Sequence, residues 1–156
     1  MPAPREEAAL RCPSAQPGMA EPQVLGVMSG GADEPRLAYL NAHVPATPEI
    51  LGLAGPLAPT EVFRLAARCE EKRCTHFDGT RCQLAVRIVQ RLPEVTDALP
   101  PCAIRRTCRW HAQEGRAACL RCPQIVTTNV AADEELIEVA GIGPARRSDR
   151  DGVPAA

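Results

Sequence analysis

The chain has 156 residues, among them sixteen prolines, eleven glycines, eight cysteines and four aromatic residues, with a formal net charge of −1. That length suits one modest domain and is too short for two with separate full cores. The near-neutral balance supplies no global field that would draw the chain to nucleic acid or an anionic membrane. So many turn residues imply short elements, so a core of Ala, Val, Leu and Ile is thin and a further staple is expected.

Residues 1–22 place charge and proline where a signal peptide would need an apolar segment. They read as a disordered tail, with Cys12 as an incidental surface thiol. No run approaches the ~18 apolar residues of a membrane span, so the chain reads as cytoplasmic. Thiols are kept reduced in that compartment, and grouped cysteines there point to metal or redox chemistry more than to structural disulfides.

The ordered region is expected over residues 23–142 as a single α+β domain. In its first part, 23–68, "QVLGVM" and "PRLAYLN" flank "SGGADE" and predict a β-hairpin. "ATPEILGLAG" offers Thr47 as N-cap, Pro48 at the first helical position and Gly55 as a stop, so a short helix follows. "APTEVFRLAARC" repeats that logic with Val62, Leu65 and Ala66 on one face, predicting a second helix that runs into Cys69.

The second part, 69–123, is the cysteine-rich half, expected to be helical and organised by metal. Its first group is Cys69-x4-Cys74-x-His76-x5-Cys82, with an Asp78-Gly79 turn before the last donor. Three thiolates and an imidazole make a set that tetrahedral zinc accepts. "CQLAVRIVQRL" then reads as the clearest helix, apolar at Leu84, Ala85, Ile88, Val89 and Leu92 and closed by Pro93. The second group is Cys102-x5-Cys108-x10-Cys119-x2-Cys122, followed by Pro123. Four cysteines can hold zinc or an iron–sulfur cluster, and proline after the last cysteine also occurs in ferredoxin runs. Trp110 could shield such a site, and His111 could substitute as a donor.

Seven cysteines and His76 are eight donors, or two sets of four, serving one or two centres of zinc or iron–sulfur type. Partition by sequence is the simplest arrangement, and crossed sets are the alternative. Residues 61–122 carry twelve Lys/Arg against seven Asp/Glu, a balance of +5. Seven thiolates with two divalent ions would add −3, so Arg64, Arg68, Arg73, Arg81, Arg105, Arg106, Arg109 and Arg121 are candidate donors to sulfur. The alternative for each is a solvated face.

In the last part, 124–142, "IVTTNV" reads as a short strand and "DEELIEVAG" as an acid-started helix. "LIEVAGIGPARR" resembles the first helix and hairpin of a helix–hairpin–helix DNA-binding motif through Leu136, Val139, Gly141, Ile142, Gly143 and Pro144. In that family the hairpin presents backbone N–H groups to a phosphate. The following "SDRDGVPAA" supplies no second helix, so a helix end followed by a disordered tail, 143–156, is the expectation. No Ser-His-Asp arrangement, paired carboxylates or phosphate loop is visible. The functional expectation is a metal-binding accessory protein that meets another protein. A small iron–sulfur electron-transfer protein is the alternative, and a zinc-stabilised nucleic-acid binder a third reading.

Overall fold

A computed structural model describes residues 9–31, 34–128 and 134–140, the backbone alone at 134 and 135. The fold is α+β: four antiparallel strands in the order β1-β4-β2-β3, with short helices on both faces. The strands are β1 (Arg11–Cys12), β2 (Gln23–Ser29), β3 (Arg36–Tyr39) and β4 (Phe63–Arg68).

The hairpin forms as its sequence predicts, with Met28 opposite Leu37 and Gly26 opposite Tyr39. Gly26 is required by a close approach, because a Cβ there would lie 2.4 Å from the Ala38 carbonyl oxygen. A bulge between Val24 and Gly26 shifts the register of β2 against β4.

Helix α1 (Pro48–Leu51) starts at Thr47, whose Oγ1 accepts from the Ile50 N–H at 3.3 Å. A single 3-10 turn, Gly52–Ala54, extends it to Gly55. The second predicted helix is only one turn, α2 (Pro59–Val62), and the residues after it form β4. "FRLAAR" alternates with period two: Phe63, Leu65 and Ala67 pack with Val24, Ala15 and Ala54 on one face. Ala66 faces a second core with Leu25, Ile88 and Trp110. Central pairing, with β1 on one side and β2 on the other, outweighs a helical pattern only two turns long.

Part of the segment read as a tail is also sheet. Arg11 pairs with Arg68 and Cys12 with Ala67, while the Ala15 N–H donates to Leu65 O at 3.0 Å. Residues 1–8 and 141–156 lie outside the described residues, and with them the hairpin of the helix–hairpin–helix resemblance.

Helix α3 (Gln83–Arg91) buries Ala85 and Ile88 against the second core, as its pattern predicts. Helices α4 (Arg109–Glu114) and α5 (Arg116–Cys119) pack beside it. The predicted helix near the end is α6 (Glu134–Ala140), tied to α3 by Arg91–Glu138 at 2.6 Å and by Arg87 Nε to Val139 O. Residues 125–128 are not a strand. Thr127 and Thr128 instead join Ser14 and Thr60 through hydroxyl pairs at 2.6 Å. Among the described residues no helix is long and apolar enough to cross a membrane.

Candidate metal centres

All eight cysteines are free thiols, and seven of them lie where strands and helices begin or end. Cys69 follows β4, and its N–H donates to Leu10 O at 2.9 Å. Cys74 closes the 3-10 turn Glu71–Arg73. Cys82 precedes α3 and is bracketed by Gln113, whose amide accepts from the Cys82 N–H at 2.7 Å and donates to its carbonyl at 2.8 Å. Cys108 precedes α4, Cys119 ends α5, and Cys122 opens the 3-10 turn Cys122–Gln124.

The Asp78-Gly79 turn places Cys82 in the first group. Asp78 accepts from the Thr80 and Arg81 N–H groups at 2.9 and 2.8 Å. These two bonds, with others from Gln83 and Thr80, pull its carboxyl down to about 2. A depressed acid stabilises the turn above its ordinary value of about 4, and the contribution fades as pH falls toward the lowered one. Amide protection at Thr80 and Arg81 should therefore decline from about pH 4 to about pH 2. Asp78→Asn should abolish that dependence in a hydrogen-exchange series.

The thiols gather in two sets. Cys69, Cys74 and Cys82 line a cavity of about 660 Å³, and Cys12 lines it with them. Cys12 is thus not the surface thiol expected: burial raises its pKa, and the charges of Cys69, Cys82 and Cys74 add to that. His76 shares the cavity wall, with its Nδ1 3.1 Å from Arg87 Nη2. Cys102, Cys108, Cys119 and Cys122 surround a second, smaller cavity, joined by Tyr39 and His111. The strongest thiol–thiol influences on Cys82, Cys102 and Cys108 come from within each set. Trp110, 1% exposed, lines both cavities.

Burial pushes the free Cys12 and Cys108 thiols up to about 12, and it raises those of Cys82 and Cys102 as well. Such thiols ionise near neutral pH only when a cation takes up the charge.

Two arginines bring positive charge to the cysteine sets. Arg64 is completely buried with no carboxylate on it; it donates through Nη2 to Cys122 Sγ at 3.1 Å. Its remaining bonds go to the Pro13, Cys122 and Ile125 carbonyls. Burial would lower the guanidinium pKa, and Cys122, Tyr39 and Cys108 together more than offset that, so it is raised. Tyr39 lines the same cavity as Cys122. Arg109 is opposed by burial likewise and held charged by Cys69, then by Glu71. Each arginine is carried by one cysteine group and serves the other: Arg64 precedes Cys69, and Arg109 follows Cys108. Of the other expected donors, Arg105 and Arg121 bond the Pro100 and Leu92 carbonyls. Arg68, Arg73, Arg81 and Arg106 are exposed, as solvated faces would be.

Among the described residues no group of three or more His, Cys, Asp or Glu is gathered so as to hold a metal ion. Thiolates about 2.3 Å from one zinc stand only about 3.8 Å apart, so both sets are more open than a closed zinc site. Comparison with protein-family models, curated proteins and solved structures finds no match for this chain.

Proposed function

We propose that the protein carries two cysteine-ligated iron–sulfur centres and passes single electrons to and from a protein partner. The observation that carries this reading concerns buried N–H groups. Among the described residues, the buried side-chain polar atoms without a partner are Arg105 Nε, Arg109 Nε and Trp110 Nε1. All three are donors, and all belong to residues lining the two cysteine cavities. An unpaired buried donor costs about 1–3 kcal/mol, so these walls are suited to a negatively charged acceptor.

Zinc held by four thiolates offers acceptors only at the ligand sulfurs. An iron–sulfur cluster adds inorganic sulfides, which donors on a cavity wall can reach, and hydrogen bonds to those sulfurs tune its potential. The first cavity, about 660 Å³, has room for a polynuclear cluster, whereas the second, about 20 Å³, would have to widen to take one. Lys72 and Arg73, exposed beside the first group, would favour a partner with an acidic surface.

A zinc-stabilised accessory protein remains the second reading, since the same cysteines suit zinc. Protein purified anaerobically should be brown, contain iron and labile sulfide in equal amounts, and bleach on reduction with dithionite. A colourless protein that holds zinc and no sulfide would overturn the electron-transfer reading and favour the accessory one.

A further inference from the structure

We infer that Cys12, and not His76, is the fourth ligand of the first metal centre, so that a strand near the start of the chain completes a site otherwise built 57 residues later. This rests on the reading of the cysteine sets as metal centres. The inference itself comes from the sheet. β1 is an edge strand paired to β4, with Cys12 opposite Ala67, two residues before Cys69. Three further bonds hold it there: Cys69 N–H to Leu10 O at 2.9 Å, Ala15 N–H to Leu65 O at 3.0 Å, and Arg64 Nε to Pro13 O at 2.9 Å. The strand is thus clamped on both sides of Cys12, and its thiol lines the same cavity as Cys69, Cys74 and Cys82.

Four thiolates match the second set in kind, Cys102, Cys108, Cys119 and Cys122. Ligation by four cysteines is the ordinary arrangement for a cluster of four irons and four sulfides, whereas an imidazole donor is the exception. His76 touches the same wall, but its Nδ1 is occupied by Arg87 at 3.1 Å. That geometry suits a residue that orders the loop between Cys74 and Cys82, whose turn also uses the His76 carbonyl as acceptor for the Gln83 N–H at 2.7 Å.

The test uses the full chain, reconstituted anaerobically with ferrous iron and sulfide, and alanine variants that leave no donor atom. Cys12→Ala should lose about half of the iron and sulfide, the same loss as Cys74→Ala, while His76→Ala should keep wild-type content. Wild-type iron in Cys12→Ala beside a half loss in Cys74→Ala would overturn the inference and leave the metal reading standing. Wild-type protein that takes up no iron, or full iron in both Cys74→Ala and Cys119→Ala, would remove the metal reading itself.

Because Cys12→Ala could also weaken β1, thiol alkylation of the reconstituted wild-type chain gives an independent readout. Cys12 should resist iodoacetamide to the same degree as Cys69, Cys74 and Cys82, and all four should become reactive when the iron is chelated. Alkylation of Cys12 with the iron fully retained would show that the fourth ligand lies elsewhere.

Discussion

Arg64→Met is expected to destabilise the chain by about 3 kcal/mol, because several buried acceptors lose their donor at about 1–3 kcal/mol each. Arg64 makes four bonds, to Pro13 O, Cys122 O, Ile125 O and Cys122 Sγ, and none is exposed to solvent on the arginine side. Methionine keeps much of the stem volume but returns three carbonyls and the Cys122 sulfur to an apolar surrounding. The midpoint of urea unfolding should fall sharply, and the second centre should lose metal before the first.

Arg64→Lys should recover only part of the loss. A single ammonium keeps the charge over Trp110, where the guanidinium carbon now lies 5.7 Å from the ring centroid, but it cannot span Pro13 and Cys122 together. A wild-type midpoint for Arg64→Met would mean that these acceptors find other partners in the folded protein.

Removal of metal should have an effect of comparable or greater size. Ligand binding at structural cysteine sites is also folding free energy, on the order of 10 kcal/mol per site where it has been measured for zinc. Chelation under mild oxidation is therefore expected to strip amide protection from α3, α4 and α5, whose ends carry Cys82, Cys108 and Cys119. The opposite face has its own support. Val24, Phe63 and Leu65 pack there against Ala54, Ile50 and Leu51. Protection on the paired β2–β4 backbone should outlast that of the helices in exchange followed by mass spectrometry. Equal loss on both faces, or no loss at all, would disprove metal as the organiser of the helical half.

Local signals carried much of the fold. Thr47 and Pro48 set the start of α1, the spacing of Ala85 and Ile88 set the buried face of α3, and alternating apolar residues around "SGGADE" set the hairpin. β4 was not legible, for a physical reason. An arginine in the middle of "FRLAAR" makes one face of the strand look solvated, whereas Arg64 is buried on a sulfur that lies 58 residues later. Without that knowledge, Val62, Leu65 and Ala66 fit a helix equally well.

Cys12 was hidden for a related reason. Its companions are distant in sequence, and only the antiparallel pairing of β1 with β4 brings it beside Cys69. The near neighbour His76 fills the fourth place when spacing alone is read. Composition accords with the proposal of Cys12 as a ligand, since eight cysteines divide evenly into two sets of four.

The indole of Trp110 lines both cavities. With a centre in each, the first electron to arrive would leave its charge within a short, poorly screened distance of the second site. The two potentials would then be driven apart even if the isolated sites were alike. Such a molecule fills anticooperatively: it accepts one electron readily and the next against the field of the first, which suits the stepwise release of single charges.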